Sequence, residues 1–249
     1  IDSGLISVKY GHTEELSIIE TIEAGHPIPD ENSETAASRI LKKVSEYDSK
    51  TLVLVLISGG GSALVTSPYY SSNPKIQLSL KDKQHLTDLL LKCGASIQEI
   101  NCVRKHLSSI KGGRLAQTIV PASIISLILS DVIGDPLDVI ASGTTVPDPS
   151  SYLEVKEIFN RYHLENQLSE NTNKLLQFGL DGAIPETPNR SDQLFDKVSN
   201  IVIGNNYDCL VEARKKAEQL GYTAEIINGF ITGDVEDAAL WLYQNTFRK

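Results

Sequence analysis

Residues 51–57, Thr-Leu-Val-Leu-Val-Leu-Ile, are almost continuously apolar and lead directly into Ser58-Gly59-Gly60-Gly61-Ser62. An unbroken apolar run of strand length, rich in Val and Leu, suits a strand covered on both faces, because neither row of alternating side chains then meets water. Strands of that kind belong to parallel sheets, whose crossover helices supply the cover. Ser123–Leu129 repeats the pattern and ends in Ser130-Asp131.

The surrounding segments alternate between strand and helix signals. Leu5–Val8, Leu16–Glu23, Asn200–Ile203 and Thr223–Ile227 read as further strands. Helices are predicted from Ser33 or Asn32 to about Glu46, from Ser79 or Leu80 to about Cys93, and over Ser151–Arg161. Three more are predicted over Glu170–Phe178 with Ser169 as cap, Tyr207–Leu220 and Asp234–Tyr243. The alternation predicts an α/β fold, a three-layer, Rossmann-like, mostly parallel sheet with helices on both faces. Ala183–Arg190 carries prolines and reads as a linker and candidate boundary.

The formal net charge of −9 disfavours nonspecific binding to nucleic acid or an anionic membrane, since both need a broad positive surface. No apolar run approaches membrane-spanning length and no signal peptide opens the sequence. Cys93, Cys102 and Cys209 form neither a paired framework nor a thiolate metal set, which points to a reducing, cytoplasmic setting. The absence of methionine places residue 1 downstream of a native start.

Against that acidic background, Asn101–Arg114 gathers positive charge. At helical spacing Ile100, Val103, Leu107 and Ile110 form a core stripe, and Asn101, Arg104, Lys105, Ser108 and Lys111 lie beside it with His106 and Arg114 near. A local reversal of sign suits a phosphate or a small carboxylate; a solvated basic face is the plainer alternative. The Ser58–Ser62 loop can bring backbone N–H groups close to such an anion, or serve simply as a tight strand-to-helix turn. Asp131, at a strand's carboxyl end, can hold Mg²⁺, accept a hydroxyl proton or cap a turn, and Asp135 lies in the same loop. His26 and Asp30 read first as parts of a structural turn, with contact to substrate as the alternative, Ala141–Pro149 as an anion-facing turn or a rigid connector, and His12, His85 and His163 as surface or core packing residues.

Five segments occur in one order at close spacing: EAGHPIPDE, LISGGGSAL, INCVRKHLSSIKGGRLA, LILSDVIGDPLDVIASG and TVPDPSSY. Together they resemble the glycerate 2-kinases of the MOFRL-associated (glycerate kinase type 2) family over Gly4 to about Ala239. The resemblance implies ATP- and Mg²⁺-dependent phosphorylation of the 2-hydroxyl of D-glycerate. It implies that residues 1–249 are the N-terminal domain, lacking an upstream G-A-G-K-A lysine segment and a following MOFRL domain with an important arginine. The family's catalytic aspartate falls on Asp131 and its glycine loop on Ser58–Ser62, while its N-x-V-R-K-H helix falls on Asn101, Arg104, Lys105 and His106. Thr144 stands where the family's A-S-G-P turn has proline. Some relatives have been called hydroxypyruvate reductases, but no G-x-G-x-x-G with a ribose-binding acid supports hydride transfer here. The expectation is a kinase with Asp131 as catalytic residue. Ser58, Gly59, Gly60, Gly61, Ser62, Asn101, Arg104, Lys105, His106 and Asp135 are its binding residues and glycerate its partner, with no nucleic acid or membrane and with a homodimer left open. A silent glycerate- or nucleotide-binding domain and a reductase stand as alternatives.

Overall fold

The computed structural model describes residues 1–246. The chain opens with β1 (Gly4–Lys9) and β2 (Ile19–Ala24), which pair in parallel. α1 (Glu31–Val44) begins at Asp30, whose carboxylate accepts the Ser33 amide at 3.0 Å while Ser33 Oγ accepts the Asp30 amide at 3.1 Å. This reciprocal cap satisfies N–H groups that the first turn leaves without partners. β3 (Leu52–Ile57) is followed by the single turn α2 (Gly61–Leu64) and the hairpin of β4 (Tyr70–Ser72) and β5 (Lys75–Gln77). Next come α3 (Leu80–Lys92), α4 (Ile97–His106), α5 (Arg114–Ile119) and β6 (Ser123–Leu129). The order ends with α6 (Tyr152–Arg161), α7 (Glu170–Leu180), β7 (Val198–Gly204), α8 (Asn206–Gln219) and α9 (Val235–Thr246).

β3, β6 and β7 form a parallel sheet in that spatial order, with Leu54, Ile125 and Ser199 in register. α1 and α5 cover one face, where Ala37, Ile110, Ala116, Ile119 and Ile124 are sealed against Val53, Val55 and Val198. A second core joins α3, α4, α6 and α7 through Leu86, Leu90, Val103, Leu107, Val155, Phe159 and Leu175. The predicted stripe of Ile100, Val103, Leu107 and Ile110 is buried throughout. Of the three free cysteines, Cys102 is buried and its thiol is pushed up to about 12 by burial, which makes it unreactive. No helix among the described residues is long and apolar enough to cross a membrane.

The α/β, mostly parallel arrangement matches the expectation, with local differences. The parallel strands fall into two sheets, β1–β2 and β3–β6–β7, and β3 is covered on one face only. On the other face Leu52, Leu54 and Leu56 are exposed, with Leu129, Ile201 and Ile203. An apolar run fixes what a strand can bury, whereas the packing of helices decides what it does bury. Thr223–Ile227 is not a strand. β propensity alone does not hold an extended segment, even with the outer edge of β7 unpaired. Asp30, not Asn32 or Ser33, caps α1. Ala183–Arg190 is not a boundary: Ile184 is buried in the second core and Glu186 reaches both His106 and the Tyr152 amide. The basic segment is not one helix. α4 stops at His106, Ser108 Oγ accepts the Ile110 and Lys111 amides, and Gly112 and Gly113 at φ of 58° and 78° turn the chain into α5.

Candidate active site

The carboxyl ends of β3 and β6 deliver two loops to the same edge of the sheet, which is where open α/β sheets bind ligands. Together with α4 and Val139–Ala141 they enclose a cavity of about 200 Å³. Ser58, Gly59, Gly60, Gly61, Ser62, Asn101, Arg104 and Asp131 all line it, alongside apolar Ile97, Val132, Val139, Ile140 and Ala141.

Gly59 lies directly against Asp131. A Cβ at residue 59 would fall 2.2 Å from Asp131 Oδ2, so only glycine lets the carboxylate rest on the loop. Gly60 is constrained twice: its φ is +82°, and a Cβ would fall 2.8 Å from the His26 ring. His26 thus packs over the loop, a part that sequence reasoning ranked below a plain turn. Asp131 forms no ion pair among the described residues.

The rest of the wall is held by a hydrogen-bond relay. Ser142 Oγ donates to Asn101 Oδ1 at 3.1 Å and accepts from Ser62 Oγ at 2.9 Å. Ala141 and Ser142 both occupy the left-handed region, at φ of 50° and 56°, so the relay holds a strained turn beside the cavity. Ser62 and Asn101 therefore shape the wall through Ser142.

The positive charge is deeper than the lining suggests. Burial lowers the pKa of Arg104. Lys111 is fully buried, and its Nζ donates to Ser62 O at 3.1 Å from beneath the glycine loop. Burial holds its ammonium well below the usual lysine range, and the charges of Arg104 and Lys83 act in the same direction. Lys83 of α3 is also buried, 3.4 Å from Ser67 O; burial first, then Arg104, push it down to about 7, against the pull of Glu34. The one signal for Lys83 in the sequence is its place on the apolar stripe of α3, with Leu86 and Leu90 three and seven residues on.

Three expected binding residues do not reach the cavity. Lys105 Nζ is 2.9 Å from Asp148 Oδ1, and both side chains are almost fully buried. Asp148 also accepts Thr187 Oγ1 and the amide and hydroxyl of Ser150. Burial pushes its carboxyl up, but Lys105 and these donors outweigh that and lower it. The His106 ring lies between Cys102 O at 2.9 Å and Glu186 Oε2 at 3.1 Å, edge-on to Tyr152. Asp135 accepts Asn205 Nδ2 at 2.8 Å and ties its loop to the start of α8. In α4 Lys105 lies only about 40° round the helix from Asn101, so rotation alone does not remove it and its pairing with Asp148 draws it away from the cavity, whereas His106 sits about 140° round. A wider cavity of about 360 Å³ lies against α8, the segment 224–231 and α9; its walls are mostly apolar and contain none of these residues.

A family described as a domain of unknown function, DUF4147, matches residues 1–177. The glycerate 2-kinase of Pyrococcus horikoshii is 40% identical over 242 residues, 97% of this chain and 53% of that protein. The D-glycerate 2-kinase of Thermotoga maritima is 39% identical over 243 residues, 97% of this chain and 54% of that protein. A crystal structure of a Pyrococcus horikoshii protein superimposes with a TM-score of 0.82 at 40% identity, covering 97% of this chain and 53% of that one. The chain therefore spans about half the length of the curated relatives it matches.

Proposed function

The chain belongs to the DUF4147 family, and from that premise we propose that the protein is a kinase transferring the γ-phosphoryl group of ATP to the 2-hydroxyl of D-glycerate. The observation that carries this reading is the meeting, in one cavity, of an ion-pair-free carboxylate, a glycine loop and a half-buried guanidinium. The names of the similar Pyrococcus and Thermotoga proteins supply the substrate.

Phosphoryl transfer asks a protein mainly for positioning and for neutralisation of charge. Asp131 orients the substrate hydroxyl and accepts its proton; its contact with Gly59 fixes where that proton goes. Arg104 and the Gly59–Gly61 backbone hold the anionic groups. The apolar side chains of Val132, Val139 and Ile140 line one side of the cavity, while Asp131 and Ile97 stay exposed to solvent. Among the described residues no three His, Cys, Asp or Glu side chains gather into a metal cage. Asp131, the one carboxylate lining the cavity, is the residue that would hold Mg²⁺, which when bound would neutralise charge on the phosphates of ATP. The reading carries a small-molecule substrate and a cytoplasmic setting.

The test is ATP-dependent formation of 2-phosphoglycerate, followed by phosphorus NMR, in the protein and in Arg104→Ala. The variant is expected to raise the Michaelis constant for glycerate or for ATP by about 10- to 100-fold, the range for losing one charge-assisted contact. Unchanged constants for both remove Arg104 from the site. Oxidation of NADPH by hydroxypyruvate, with no phosphoglycerate formed, replaces the kinase reading with a reductase.

A further inference from the structure

Of three cations with little negative charge to meet them, only Arg104 lines this cavity; Lys111 lies behind its wall, donating to Ser62 O, and Lys83 of α3 is buried against Ser67 O, with the charges of the three acting on one another. The Lys83 contact is long, and its acceptor, Ser67 O, also receives the Ser109 amide and the Ser108 hydroxyl. Among the described residues no carboxylate lies within ion-pair distance of any of the three. Glu34 of α1 is the acid whose charge reaches Lys83, and its own carboxyl is raised by burial. Lys105 provides an internal control: equally buried, it has Asp148 at 2.9 Å. Where this chain buries a lysine for structure, it supplies the counterion. An unpaired ion removed from water costs several kcal/mol, and burial with mutual repulsion drives Lys83 and Lys111 to give up protons instead.

We propose that Lys83 and Lys111 belong to the ligand site with Arg104, and that the three together take a dianionic oxyanion of the phosphate or phosphate-ester class in preference to a monocarboxylate. The proposal rests on reading the cavity as the substrate site and adds which ligand group its cations hold. With all three cations charged and Glu34 ionised, two positive charges remain, which a dianion neutralises and a carboxylate does not.

Binding is then linked to protons. Lys83 sits at about 7 and Lys111 is also depressed, so near neutral pH the empty site has shed part of its charge. The groups acting on Lys83 are Glu34, Arg104 and Lys111, and of these only Glu34 favours its ammonium. A bound dianion raises the pKa of both amines. Affinity is therefore greatest below the empty-site value and falls as pH rises through it toward the bound-site value.

Sulfate is the probe, because it remains a dianion between pH 6 and 9 and carries no proton of its own. Its binding to the full chain is measured by calorimetry in buffers of different ionisation heat, with D-glycerate as the monoanion control. Sulfate is expected to bind with net proton uptake and to weaken by up to about tenfold per pH unit above 7 for each proton taken up. Lys83→Met is expected to lose about tenfold or more in sulfate affinity, with glycerate affinity within about threefold. Lys83→Arg keeps the charge without titrating and is expected to retain sulfate with less proton uptake. Sulfate binding by the unmodified chain without proton uptake, or no sulfate binding at all, overturns the proposal, and that measurement decides even where a variant does not fold. Intact phosphorylation of glycerate alongside absent linkage overturns this assignment and spares the kinase reading. Linkage without phosphorylation keeps the dianion site and removes the kinase.

Discussion

Replacing Asp131 by asparagine is expected to lower turnover at least about a hundredfold while changing the Michaelis constants for glycerate and ATP by less than about threefold. Asparagine preserves the size of the side chain, so its contact with Gly59 survives. What disappears is the ability to accept a proton, and an interaction made only as the hydroxyl attacks acts on turnover and not on ground-state binding. The lack of any ion pair at Asp131 among the described residues sharpens the test, since no buried cation is orphaned by the change. Steady-state kinetics with both substrates checks it. Near-normal turnover refutes the assigned role. A parallel rise in both Michaelis constants recasts Asp131 as a binding residue.

Lys105→Met is expected to destabilise the fold by about 3–5 kcal/mol, the range for breaking a buried ion pair from one side. Asp148 would stay buried, keeping Thr187 and Ser150 but losing its charge partner. The same residues predict a dependence on pH. Because Asp148 is held below its ordinary value in the fold, its contribution is complete above the unfolded carboxylate range and is lost as pH falls through its folded-state value. Lys105→Met flattens that acid limb. Urea unfolding at pH 7 and through the range from about pH 5 down to about pH 2 measures both effects. Where the variant is still folded, its Michaelis constants should match those of the unmodified protein. Higher constants with unchanged stability would return Lys105 to the anion site.

The contrast between Arg104 and Lys105 shows where sequence reading reaches its limit. The chain's own spacing displays a cationic helix and a core stripe, and Ile100, Val103 and Leu107 are buried as that stripe requires. Which charged residue faces the ligand depends on one 100° step, and that step is fixed by partners far away in the chain. Asp148 lies 43 residues beyond Lys105, and Glu186 lies 80 beyond His106. Lys83 was hidden for a related reason: a lysine on an amphipathic helix reads as solvated unless its place on the apolar stripe is taken at face value. The glycine loop and Asp131 were legible because a strand's carboxyl end is a position that the local pattern marks without help from the rest of the fold. By contrast, the open face of β3 and the missing strand at Thr223–Ile227 depend on which neighbours are present, and an apolar run does not encode its neighbours.

A crystal structure of the protein with D-glycerate bound tests the central claim most directly. The account predicts the substrate in the cavity between Gly59–Gly61 and α4, its 2-hydroxyl within hydrogen-bonding distance of Asp131 and its neighbourhood including Arg104. Glycerate seated elsewhere, as in the apolar cavity beside α8 and α9, or bound with Asp131 out of reach of its hydroxyls, contradicts it.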